Sequence, residues 1–123
     1  MAHKQRVVVL GASPKRDRYA FKALNMLRDY GHEPVPVNPA YGEICGTTCF
    51  PQISDVSDPI DTVTLYLGKR RSDPLIEEIT NSGARRLILN PGAENDDLAK
   101  AARARGIEVV EGCTLVMLTV GTF

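Results

Sequence analysis

Gly11-Ala12-Ser13-Pro14 is followed at once by Lys15, Arg16 and Arg18, so a tight flexible turn stands beside three cations. The turn ends the apolar run Val7-Val8-Val9-Leu10 and opens into a helical pattern. A buried strand feeding a glycine turn and a helix start makes an anion site, because unpaired backbone N–H groups and the positive end of the helix dipole meet there. The chemistry expected is phosphate or pyrophosphate binding, with the Ser13 hydroxyl, Lys15, Arg16 and Arg18 as further donors. A plain strand-to-helix turn would need the glycine but not the basic cluster. The spacing is not the dinucleotide fingerprint G-x-G-x-x-G, which requires glycine where Ser13 and Arg16 stand.

The elements that must carry this turn follow from periodicity. Strands are predicted at Gln5 to Leu10, Glu33 to Asn38, Asp61 to Leu67, Arg86 to Asn90 and Ile107 to Glu111. Between them, apolar residues recur at helical spacing in Tyr19 to Tyr30, Asp73 to Asn81 and Asp96 to Arg105. Gly31, Gly83 and Gly106 each follow the last helical residue, as helix C-termini require. The crossover from Tyr41 to Pro59 contains Pro51 and holds at most a short helix. The alternation means α/β.

Continuous apolar runs at Val7 to Leu10 and Leu87 to Leu89 read as central strands, whereas the alternating Thr62 to Leu67 and Ile107 to Glu111 read as edges. The expected fold is therefore a three-layer sandwich on a five-stranded parallel sheet of order 3-2-1-4-5. Pro34 and Pro36 conflict with an interior place for the second strand, since proline donates nothing to a ladder. Hydrogen bonds are expected to be missing along one side of it.

The bulk composition narrows the function classes. A chain of 123 residues, 43% hydrophobic, makes one domain over 1–123. Fifteen basic and fifteen acidic residues cancel, so no global field draws it to nucleic acid or a membrane. Without a membrane-length apolar stretch or signal-peptide pattern the expected compartment is cytoplasmic. Three cysteines suggest reduced thiols, and no metal site is expected.

In an open parallel sheet, ligands sit beyond the carboxyl ends of the strands where the strand order reverses. Those ends deliver Gly11-Ala12-Ser13, Asn38-Pro39-Ala40-Tyr41, Gly68-Lys69, Asn90-Pro91-Gly92-Ala93 and Gly112-Cys113. Such residues let a ligand approach the backbone but are poor acids and bases. No acid stands at the end of the second strand to hold a ribose, which disfavours NAD. The only histidines are His3, near the terminus, and His32, at the opposite rim of the sheet. No catalytic residue is therefore expected. Glu94, Asp96 and Asp97 suit the start of a helix, and the apolar segment Thr114 to Leu118 is expected to pack on the sheet.

Taken together, Gly11-Ala12-Ser13-Pro14-Lys15 with Asp17-Arg18, Pro36-Val37-Asn38-Pro39, Glu43-Ile44 with Gly46, Asp61 with Tyr66, Asn90-Pro91-Gly92 and Cys113 resemble the small stand-alone CoA-binding proteins. These are similar to the Rossmann-type N-terminal domain of the succinyl-CoA synthetase alpha subunit. The resemblance implies non-catalytic binding of coenzyme A or an acyl-CoA across the carboxyl rim. It places the diphosphate near Gly11-Ala12-Ser13 and the nucleotide towards Asn38-Pro39 and Tyr66 to Gly68.

Members of that family often carry a lysine after the Asn-Pro pair, where this chain has Ala40-Tyr41. Lys15, Arg16 or Arg18 would have to supply the charge, and Tyr41 or Tyr66 a stacking face. Tyr19-Ala20 replaces a Pro-Ser of one branch, and the 123 residues hold no counterpart of the domain that carries the synthetase's phosphorylated histidine. Other readings are an acyl-CoA or thiol-transfer enzyme using Cys113 or a partner subunit, and a regulatory nucleotide-binding or interaction module. A homo-oligomer is compatible with each.

Overall fold

A computed structural model of the chain describes residues 4–57 and 59–123. His3 lies outside them. The main sheet is built from β1 (Arg6–Leu10), β2 (Glu33–Val37), β5 (Thr62–Leu65), β6 (Arg86–Leu89) and β7 (Glu108–Glu111). All four pairings are parallel, in the order β2-β1-β5-β6-β7. The fold is the expected Rossmann-like α/β sandwich. Between β2 and β5 the chain makes a small antiparallel hairpin, β3 (Glu43–Ile44) and β4 (Thr47–Thr48), and a 3-10 turn at Ile53–Asp55.

The 3-2-1-4-5 pattern is present, but with a different third strand. Phe50, in the crossover read as loop, forms a parallel bridge to Val37 on the outer side of β2. Counted in chain order, this single bridge is strand three and β5 is strand four, beside β1. The expectation that Asp61 to Leu67 is an edge, with Arg86 to Asn90 next to the first strand, is thus corrected. The Thr62/Thr64 alternation that suggested a wet face has another cause. All four β5 residues are buried, and the hydroxyls are satisfied internally: Thr62 Oγ1 donates to Gln5 Oε1 at 2.7 Å, and the Thr64 and Thr114 hydroxyls lie 2.7 Å apart.

The prolines fit the observed order. Glu33 N–H donates to Gln5 O at 2.9 Å, towards β1, so the alternating nitrogens of Pro34 and Pro36 face outward. On that side Phe50 N–H reaches Pro36 O at 3.0 Å, and Asn38 N–H reaches Phe50 O at 2.9 Å. The expected interruption along one side of the strand is found, and it lies where proline loses no ladder bond.

Side-chain alternation sends Val7 and Val9 to one face and Val8 and Leu10 to the other. The first face is covered by α1 (Tyr19–Asp29), through Ala20, Leu24 and Leu27, and by α5 (Thr114–Val120), through Leu118. The apolar segment after Cys113 therefore packs beside α1, leaving Val116 and Val120 exposed. Leu24 and Leu27 are fully buried, each contributing about 2–3 kcal/mol.

The second face is covered by α3 (Ile76–Thr80) and α4 (Asp96–Ala104), through Ile79, Leu98 and Ala102. The helix expected at Asp73 to Asn81 starts earlier. It runs as α2 (Lys69–Ser72), a 3-10 turn at Asp73–Leu75 containing Pro74, and then α3. Among the described residues no helix is long and apolar enough to cross a membrane.

Candidate functional site

After β1 the chain turns to the α1 layer, and after β5 it turns to the layer of α2 and α3. Their carboxyl ends diverge and leave a crevice at the point where strand order reverses. Two adjoining clefts fill it, of about 490 and 410 Å³.

The larger cleft gathers most of the expected set: Gly11, Ala12, Ser13, Lys15, Arg18, Asn38, Tyr41, Tyr66, Leu67 and Pro91. Tyr19, Ala20, Arg71, Gly92 and Ala93 also line it. The smaller cleft is mostly apolar, with Leu10, Val37, Pro39, Pro51, Ile53, Leu67 and Leu75 and the polar Gln52 and Glu78. Arg16 and Gly68 line neither. Asn90 does not either, being 2% exposed with its amide turned inward.

The Gly-Ala-Ser turn differs from the expected cradle of free amides. Gly11 N–H and Ala12 N–H both donate to Val37 O, at 3.0 and 3.3 Å. Asn38 completes the join: its Nδ2 donates to Ala12 O at 2.8 Å and its Oδ1 accepts from Ala40 N–H at 2.8 Å. Asn38 thus fixes the first loop against the second. Gly11 has φ +90°, and a Cβ there would stand 2.9 Å from Leu67 Cδ2, so this position requires glycine.

The donors that remain come one turn later. Helix α1 begins after Arg18 with no side-chain cap and no acid in its first turn, and Tyr19 and Ala20 line the cleft. The positive helix end, Lys15 and Arg18 face the same space. Ser13 Oγ accepts from Lys15 N–H at 3.1 Å, which leaves its O–H free to donate. Helix α4 shows the contrast. Its N-cap Asn95 accepts from Leu98 N–H at 3.0 Å, and Asp96 and Asp97 occupy its first turn as expected. Glu94 instead accepts from Gly92 N–H.

Beneath the cleft lies a buried polar group. Asn90 Nδ2 donates to Thr64 Oγ1 at 2.7 Å and to Leu65 O at 2.9 Å, and Asn90 Oδ1 accepts from Thr114 N–H at 2.9 Å. Tyr66 is among the residues lining the cleft, and its Oη is buried without a hydrogen-bond partner. Burial pushes the Tyr66 phenol up to about 12. The Thr114 and Thr64 hydroxyls beside it ease that shift, yet they are bonded to each other and neither meets Oη in hydrogen-bonding geometry.

Glu78 brings a carboxylate to the smaller cleft, with Oε2 accepting from Ser54 N–H at 3.2 Å, whereas the described histidine and the three thiols line neither cleft. His32 lies at the opposite rim with Nδ1 accepting from Gln5 N–H at 3.0 Å, and burial followed by the Arg86 charge lowers its pKa. Cys45, Cys49 and Cys113 are free thiols, and burial pushes the Cys49 thiol up. Cys113 is the N-cap of α5 and lines neither cleft. Among the described residues no three His, Cys, Asp or Glu side chains gather as a metal site would require.

A family described as the CoA binding domain matches residues 5–119. The chain belongs to this family. A solved crystal structure of an uncharacterized protein aligns with a TM-score of 0.94 at 39% identity, covering 99% of this CoA-binding domain and 100% of that chain. The YneT protein of Bacillus subtilis is 24% identical over 110 residues, which is 89% of this chain and 82% of YneT. An ADP-forming acetate–CoA ligase of Methanocaldococcus jannaschii is 25% identical over 89 residues, covering 72% of this chain but 13% of the ligase. The likeness to that enzyme is therefore confined to a small part of it.

Proposed function

We infer that this protein binds coenzyme A or an acyl-CoA without itself catalysing a reaction. The observation that carries the reading is the pair of joined clefts, one polar with cations at its wall and one apolar, at the strand-order reversal of a CoA-binding-family domain. A diphosphate fits the uncapped end of α1, with Ser13 O–H, Lys15 and Arg18 as donors. Adenine suits the apolar cleft among Pro39, Ile53 and Leu75. The pantetheine arm would then run along the larger cleft past Tyr66 and Pro91. Asn90 supports this wall from below rather than touching the ligand.

The non-catalytic part of the reading rests on the lining. It contains cations, amides, hydroxyls and apolar side chains with one carboxylate, Glu78, whose Oε2 is engaged by Ser54 N–H, while His32 sits at the other rim and the Tyr66 phenol remains protonated at neutral pH. Isothermal titration against CoA, acetyl-CoA, ADP and NAD tests the assignment. CoA or acetyl-CoA should bind more tightly than NAD, and no heat with any CoA species up to millimolar concentration would overturn it. Ser13→Ala and Arg18→Ala should each weaken CoA binding while leaving thermal unfolding unchanged, because both side chains lie at the solvent rim.

A further inference from the structure

Four residues line both clefts: Gly11, Asn38, Leu67 and Arg71. Gly11 and Leu67 are apolar, and the Asn38 amide is engaged with Ala12 O and Ala40 N–H. Arg71 is the charged group at the junction. Its backbone is anchored in α2, where its N–H donates to Gly68 O at 3.0 Å.

The basic residues of α2 are not equivalent. Lys69 Nζ lies between Asp73 at 3.0 Å and Asp97 at 3.2 Å, and the remaining ion pair among the described residues joins Arg6 to Glu33. Arg71 belongs to none of them. Its layer also matters. The segment it begins packs on the sheet face opposite α1, so Arg71 approaches the junction from one side while the α1 N-terminus, Lys15 and Arg18 approach from the other.

We propose that Arg71 is a specificity-determining residue that grips the diphosphate of a two-part ligand at the junction of the clefts, from the layer opposite α1. The proposal rests on the CoA reading for the identity of the ligand. Its own requirement is only a diphosphate joined to a group that occupies the apolar cleft. A guanidinium offers two parallel N–H donors to phosphate oxygens, whereas an ammonium at the same place is a point charge. A ligand without the diphosphate makes no use of Arg71.

Calorimetric titration of the wild type, Arg71→Ala and Arg71→Lys with CoA, ADP and adenosine separates the possibilities. Arg71→Ala should weaken CoA and ADP at least tenfold, Arg71→Lys should restore part of the loss, and adenosine affinity should change less than twofold. Thermal unfolding should stay the same, since the Arg71 side chain is exposed and holds no other element. If Arg71→Ala binds CoA and ADP like the wild type, the role of Arg71 is overturned and the CoA reading stands. Equal losses for adenosine and ADP also overturn it, because the damage is then to cleft shape. If the wild type binds ADP but not CoA, the CoA reading falls and the Arg71 dependence of ADP binding still decides this proposal. Binding of no probe overturns both.

Discussion

Replacing Tyr66 by phenylalanine keeps the ring and removes a hydroxyl that is buried without a partner. A buried polar group left unpaired costs about 1–3 kcal/mol, so the Tyr66→Phe protein should be more stable by about 1 kcal/mol. Urea denaturation measures this, and a lower midpoint would show that Oη is bonded in solution. Gly11→Ala should act in the opposite direction. The new Cβ meets Leu67 at 2.9 Å and the residue must hold φ +90°, so a loss of about 1–3 kcal/mol is expected in the same measurement. Leu67→Ala in that background should recover only the steric part. At this scale the sequence reading and the structure bring the same residues together where the pattern is local: Gly11, Ser13, Lys15 and Arg18, read from a turn and its adjacent cations, line one cleft. The reading fails for the amides of Gly11 and Ala12, whose acceptor, Val37 O, lies on another strand. Arg71 is missed because the helix pattern starts at Asp73, whereas the backbone turns helical at Lys69.

The elements are joined at the crevice floor by Asn90, which connects the end of β6 to β5 and to the first turn of α5. Asn90→Ala would leave Leu65 O and Thr114 N–H without those bonds in a dry interior, and about 3 kcal/mol of stability should be lost. Hydrogen exchange should then show the α5 amides losing protection before those of β1. Uniform loss across the sheet would mean that Asn90 is not the tie between these elements. The same network explains why the composition of β5 reads as that of an edge strand although β5 lies beside β1. Thr62 and Thr64 look like the wet face of an edge strand, but their hydroxyls are paired inside the protein. A single bridging residue, Phe50, carries no periodicity at all, so the reduced third strand could not be read. The boundaries of β1, β2 and α4 were legible because each combines an apolar run or an apolar face with a turn or cap residue.

For the molecule as a whole, pH acts on two places outside the lining of the clefts. At the amino rim the Phe123 ring lies between His32, with ring centroids 5.0 Å apart, and Arg86, whose guanidinium is 4.4 Å from the ring centre. Burial first, and the Arg86 charge second, lower the His32 pKa below its ordinary 6.5. The unfolded chain therefore takes up a proton that the folded chain resists. Stability should be full above pH 6.5, fall as pH drops through the window below it, and level off once folded His32 is protonated.

The second place is the link between α2 and α4. Lys69 first, and Asn95 second, hold the Asp73 carboxyl below its ordinary 3.8, so a further loss begins as pH falls past that value. The hydrogen bonds that Lys69 Nζ donates to Asp73 first and Asp97 second raise the Lys69 pKa above 10.5, and this contribution disappears as pH rises through the raised value. Stability should thus be greatest between about pH 6.5 and 10.5, with both acid steps descending in the same direction. His32→Asn separates them, because an amide oxygen can accept the Gln5 N–H in place of Nδ1 but does not titrate. Urea midpoints of this variant should be flat from pH 7 to about 5 while the loss that begins below 3.8 persists. Retention of the wild-type slope between pH 7 and 5 would assign that step to groups other than His32.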